Sequence, residues 1–162
     1  MPPLEASSSE VPPSAKASKL STTSSTEQLE QLCRSAVEVV NSGDVDHWSA
    51  EADNLLDHLE EDWEARLDNF PFSLSLDDLL ALWGNVCTSG GRLQLEILHM
   101  STKVRDNGKS ASVYMHLRTQ GLSKAMSNYV FCELKWKWRE ETWICGSLLG
   151  MRKPCSDSGI FC

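Results

Sequence analysis

Basic residues are scarce in this chain: 15 lysines and arginines against 23 aspartates and glutamates among 162 residues, a net charge of −8. No basic cluster exceeds the mixed stripe Lys135, Lys137, Arg139, whereas phosphate recognition needs a concentrated basic footprint. Nucleic acid is therefore not an expected partner, and an anionic membrane surface is disfavoured on the same ground. No apolar run approaches the length of a membrane span. The start, Met1-Pro2-Pro3-Leu4-Glu5, lacks the basic and apolar regions of a secretory signal. No two of the six cysteines form a C-x-x-C pair. Cys33, Cys87, Cys132 and Cys145 sit at apolar-patterned places, as small buried hydrophobes of a reducing compartment do, so the expected location is cytoplasmic. Cys155 and Cys162 lie in a polar tail, and the final cysteine is out of place for prenylation. Internal repeats, a phosphate loop, a Ser-His-Asp order and a usable carboxylate pair are also missing.

What is present is one domain with a polar leader. Residues 1–25 are rich in Ser, Pro, Thr and Ala, a composition that predicts a disordered tail; residues 26–153 form the domain and 154–162 a flexible end. Ser25 with Gln28 makes a capping-box pattern, followed by Leu29, Leu32, Cys33, Ala36, Val37 and Val40 at helical spacing. Asn41-Ser42-Gly43 supplies the stop. A second helix is expected from about Val45 to Glu60, with Trp48, Ala52, Leu55, Leu56 and Leu59 on one face. Trp63, Ala65 and Leu67 alternate as a short strand ended by Pro71, and Ser75 with Asp78 caps a third helix that runs to Gly90-Gly91. Strands are expected at 92–104, 110–119, 127–138 and 142–152, giving an α+β arrangement of three helices on a long, mostly antiparallel sheet.

Turn chemistry fixes part of the register. Asn107-Gly108 is a strong hairpin signal, and it sets His99 opposite His116 and Ser101 opposite Tyr114. Around Glu140-Glu141, Trp138 falls opposite Trp143, Trp136 opposite Cys145 and Leu134 opposite Ser147. The connection 119–126 is longer; centred on Leu122 it would set Asn128 opposite His116. One face then carries Leu93, Leu95, Ile97, His99, Tyr114, His116, Asn128, Cys132, Leu134, Trp136 and Trp138. The other carries Leu98, Met100, Val113, Met115, Leu117 and Phe131, an apolar patch that predicts a homodimer through the face away from the helices.

His99 and His116 are the leading candidates for chemistry, because imidazole titrates near neutral pH and can move protons. A hydrogen-bonded core pair is the competing explanation. Tyr114 can donate to a developing oxyanion, Asn128 can orient, and Trp136, Trp138 and Trp143 can stack a flat ligand or simply pack. His99, His116 and Cys132 lack the further cysteine or carboxylate expected of a zinc site. His58 reads as a solvated surface residue, and His47 as a weak candidate beside Trp48.

Leu59-Glu60-Glu61-Asp62-Trp63-Glu64-Ala65-Arg66-Leu67-Asp68, Ala111-Ser112-Val113-Tyr114-Met115-His116-Leu117-Arg118 and Asn128-Tyr129-Val130-Phe131 through Trp143-Ile144 together resemble the NTF2-like superfamily. Within it they resemble the SnoaL-like group of polyketide cyclases, isomerases and dehydratases, over about residues 26–153. The resemblance implies a cone-shaped (cystatin-like) fold in which helices close a pocket against a curved sheet, and members usually act without metal or cofactor. It implies His99 and His116 as catalytic residues, as in scytalone dehydratase, with Tyr114, Asn128, Trp48, Trp136 and Cys132 contacting substrate. Asn41 and Val40 stand where that enzyme has its aspartate and tyrosine, and Asn128 stands where many relatives carry an acid. The implied activity is a cofactor-free isomerase, cyclase or dehydratase acting on a small apolar or aromatic carbonyl molecule, polyketide-like in type. The alternative is a non-catalytic ligand-binding or dimeric scaffold module of the same fold.

Overall fold

The computed structural model describes residues 20–43, 54–88, 92–120 and 128–152. Helix α1 spans Leu20–Ser42, so the boundary expected at residue 25 falls inside it. Its stripe behaves as the spacing predicts: Leu29, Cys33 and Val37, one turn apart, are buried. The stop is a glycine cap, with Gly43 at φ 68° donating its N–H to the Val40 carbonyl at 3.2 Å. Of the second expected helix, residues 44–53, including Trp48, lie outside the described residues. Residues 54–56 are helical, and the chain enters strand β1 (Leu59–Leu67) sooner than the helical pattern to Glu60 suggests.

Strand β2 (Leu74–Ser75) leads into helix α2 (Leu76–Thr88) through a reciprocal cap. The Ser75 N–H donates to Asp78 Oδ2 at 3.1 Å while the Asp78 N–H donates to Ser75 Oγ at 3.2 Å. Hydrogen bonds from Ser75 hold the Asp78 carboxyl below the ordinary range. Strands β3 (Gln94–Arg105), β4 (Ser110–Gln120), β5 (Asn128–Arg139) and β6 (Thr142–Arg152) complete one six-stranded sheet of order β2-β1-β6-β5-β4-β3. Only β1 and β6 run parallel. No described helix is long and apolar enough to cross a membrane.

Both hairpin registers read from turn chemistry hold near their turns. His99 faces His116 and Ser101 faces Tyr114. Asp106, Asn107 and Gly108 all adopt positive φ, so the connection is one residue longer at each end than a two-residue turn. Trp138 faces Trp143 and Trp136 faces Cys145 across a two-residue loop, with Glu140 at φ 47° and Glu141 at φ 63°. Bulges then shift each register by one: between Ile97 and His99 in β3, and opposite Lys135–Trp136 in β6, so Leu134 faces Leu148 rather than Ser147.

The β4–β5 register differs from expectation. His116 faces Phe131, not Asn128, and Asn128 faces Thr119. The slip is three residues, an odd number, so it exchanges the faces of one strand against the other. Ala111, Val113, Met115 and Leu117 join Cys132, Leu134 and Trp136 beneath α1 in the buried core. His99, Tyr114, His116 and Phe131 stand on the opposite, outer face. The apolar patch assigned to the outer face is therefore mostly core: Met115 is 5% exposed, and Met100 packs against the core cluster, while Phe131 is 42% exposed.

This arrangement is tested by one charge at two positions. Met115→Lys buries an unpaired ammonium beneath α1 and is expected to abolish cooperative unfolding, a cost beyond about 4 kcal/mol. Phe131→Lys is expected to fold with a far-UV circular dichroism spectrum like that of the wild type.

Candidate functional site

The helices and the inner face of the sheet enclose an apolar cavity of about 100 Å³. Its wall is built by alternation. Leu32, Ala36, Val39 and Val40 come from α1, Leu79 and Trp83 from α2, and Trp63, Leu134, Trp136, Cys145 and Leu148 from the strands. The buried indole nitrogens of Trp63, Trp136 and Trp143 have no hydrogen-bond partner among the described residues, although Trp63 neighbours the Cys145 sulfur, a weak acceptor. Trp136 is thus where a substrate-contacting residue was expected. Trp48 lies outside the described residues, and His99, Tyr114 and His116 are elsewhere.

His99, Tyr114 and His116 do meet, together with Glu133, but around a hollow of about 260 Å³ on the outer face, while Cys132, of the opposite parity, belongs to the core. There the His116 ring stacks on Phe131 at 4.3 Å between centroids and 9° between planes, and tilts against Tyr129 at 5.6 Å. Its Nε2 is buried without a hydrogen-bond partner among the described residues. His99 is exposed. From sequence Glu133 reads as part of a charged rim of the outer face with Lys135 and Lys137, not as a neighbour of the histidines; it shares the parity of Phe131, and the correct register places it beside them. The hollow can hold and move a proton, but it opens away from the enclosed cavity. Among the described residues no three His, Cys, Asp or Glu side chains converge as metal ligands.

Asn41 has a structural duty. Its Nδ2 donates to the Leu95 carbonyl at 2.9 Å and its Oδ1 accepts from the Leu95 N–H at 2.6 Å, so one amide pairs both backbone groups of an edge-strand residue. An aspartate offers no donor for that carbonyl, which gives a physical reason for asparagine where the resemblance calls for an acid.

His58, expected on solvated helix surface, is half-buried at the start of β1. Its Nδ1 lies 2.8 Å from the Trp143 carbonyl, and its own carbonyl accepts the Cys145 N–H at 2.7 Å. It borders a third space, an open cleft of about 590 Å³ between α1 and the β5–β6 turn.

With this geometry the chain is similar to solved structures of the NTF2-like, cystatin-like class, and that is its fold. An NTF2-like protein with a cystatin-like fold from Novosphingobium aromaticivorans matches at TM-score 0.67 and 14% identity, over 86% of this chain and 89% of that one. A candidate dehydratase of the NTF2-like family from Streptomyces avermitilis matches at TM-score 0.63 and 12% identity, over 82% and 99%. A candidate calcium/calmodulin-dependent protein kinase II association domain from Xanthomonas campestris matches at 0.59 and 11%, over 79% and 87%. No family model matches the sequence, and no curated protein does.

The described cysteines Cys33, Cys132 and Cys145 are free and buried. Burial pushes the Cys132 and Cys145 thiols from 9.0 up to about 12, and Cys33 higher still. At pH 8 a thiol with that pKa is thiolate in only about one molecule in ten thousand. Iodoacetamide at pH 8, followed by peptide mass spectrometry, is expected to leave these three unlabelled in the native protein and to label them in urea. The raised values also set a sign. Their stabilising contribution is complete below pH 9.0 and is lost as pH climbs toward about 12.

Proposed function

We propose that this protein is a binding and assembly module of the NTF2-like fold, holding a small apolar molecule inside and docking a second copy on its outer sheet face. The observation that carries it is the cavity wall, which is apolar throughout its described residues and includes the indole rings of Trp63, Trp83 and Trp136. The residues suited to proton transfer, His99, His116 and Tyr114, lie across the sheet from that wall. A cofactor-free isomerase, cyclase or dehydratase needs both in one place, so the enzyme reading has less support.

Size narrows the ligand. Pockets for drug-sized molecules run to about 300–1,000 Å³, whereas an apolar cavity of about 150 Å³ takes benzene or xenon. The cavity here, about 100 Å³, suits a single ring or a short hydrocarbon and is small for a polyketide.

Benzene tests this through the lining tryptophans. Titration is expected to change intrinsic fluorescence saturably and to raise the melting temperature, as any ligand of the native state does. Ala36→Leu, which fills the cavity from α1, is expected to abolish both effects while remaining folded. An equal response from that variant places benzene elsewhere and removes the proposal.

For the outer face, Tyr114, Tyr129, Phe131 and Met151 leave large apolar surface exposed together. Glu133 and Lys135 occupy neighbouring outer positions of β5, so a two-fold copy can set acid against base across the contact. Light scattering at micromolar concentration is expected to give twice the chain mass for the wild type and the single mass for Phe131→Lys. A monomeric wild type ends the dimer proposal.

A further inference from the structure

The cleft beside the β5–β6 turn is distinct from the interior cavity, and among the described residues the two linings share only Leu32. We infer that it binds an organic ammonium cation of about the size of a benzylammonium. Three features of the wall point to that chemistry.

The first is aromatic. Trp138 and Trp143 meet edge to face, 5.3 Å between centroids and 65° between planes. Trp143, only 2% exposed, braces a Trp138 ring that is 39% exposed beside the cleft. An electron-rich indole face fixed in place and left open is the surface a cation prefers.

The second is charge. Glu27 from α1 and Glu141 from the turn border the same space, and neither carboxylate is ion-paired among the described residues. Among the described residues no lysine or arginine lines the cleft. Lys137 and Arg139 are instead drawn to Glu60, at 3.5 and 3.0 Å. Glu141 also sits at φ 63° in a two-residue turn where asparagine or glycine is the economical choice.

The third is the imidazole. A carbonyl can only accept, so the 2.8 Å contact to Trp143 puts the His58 proton on Nδ1. That bond fixes the ring in the wall of the cleft, where it adds a polar aromatic edge beside the two tryptophans.

Benzyltrimethylammonium is the probe, and its uncharged carbon isostere, neopentylbenzene, is the control. Isothermal titration of the full chain is expected to show saturable binding of the cation. Trp138→Ala should weaken it roughly tenfold, the scale of a cation–π contact, and Glu141→Gln and Glu27→Gln by about threefold or more each. Glu141 and Glu27 are exposed, so their variants report even if Trp138→Ala fails to fold. Ala36→Leu, which closes the interior cavity, should leave the cation's affinity unchanged, so that failure here and failure of the interior-ligand proposal are told apart. Absence of saturable binding overturns the inference. So does a wild-type affinity in both carboxamide variants, or an isostere that binds as tightly as the cation.

Discussion

The pairing of β4 with β5 is the constraint on which the rest of the molecule depends. These are central strands, and each contributes one parity of side chains to the core beneath α1. With Val113 opposite Leu134 and Met115 opposite Cys132, every large apolar residue of β4 points inward, and its histidine and tyrosine point outward. A slip by an odd number would expose Val113, Met115 and Leu117 and bury His116 and Tyr114 against apolar helix surface. Burying those three side chains is worth several kcal/mol on its own, at about 1.5–3 kcal/mol each. No loop chemistry is needed to choose between the alternatives, because the burial term decides.

Curvature follows from two local devices on that frame. The bulges at Leu98 in β3 and Gly146 in β6 bend those strands and increase their local twist. A Cβ at Gly146 would come within 2.5 Å of Glu60 Oε2, so that carboxylate would have to shift along with its contacts to Lys137 and Arg139. At the far edge Asn41 pairs with Leu95 as a strand would, tying the end of α1 to β3 and covering part of an edge that otherwise invites a partner.

How far this was legible from sequence depends on where local chemistry ends. Asn107-Gly108 announces its own conformation, so the His99–His116 pairing could be read from residues alone; Ser75 and Asp78 announce the α2 cap in the same way. The connection between β4 and β5 contains no comparable signal, and centring it by symmetry put Asn128 where Phe131 belongs. From that one error came a mixed face, a dimer patch made of core residues and a catalytic pair inside the cone. The alternation Val113, Met115, Leu117 carried the correction, since three large apolar side chains outweigh one histidine as evidence of burial. Bulges, His58 and Asn41 were invisible for another reason: each is defined by backbone groups distant in sequence, whose positions only the folded chain supplies.

The period of two in β5 explains how unrelated duties share one strand. Leu134 and Trp136 wall the interior cavity, Trp138 continues the same parity out to the cleft, and Phe131, Glu133, Lys135 and Lys137 serve the outer face. Substitution at one parity leaves the other face nearly untouched, so the lining of a cavity and the chemistry of an outer surface can change independently while the backbone is conserved. Solved structures of this fold at 9–15% identity overlay on the chain because backbone geometry rests on which positions are apolar rather than on which side chains fill them. Function has no such protection. Here the imidazoles of His99 and His116 and the enclosed space lie on opposite sides of the sheet, a separation set by strand register and not by the fold the chain shares.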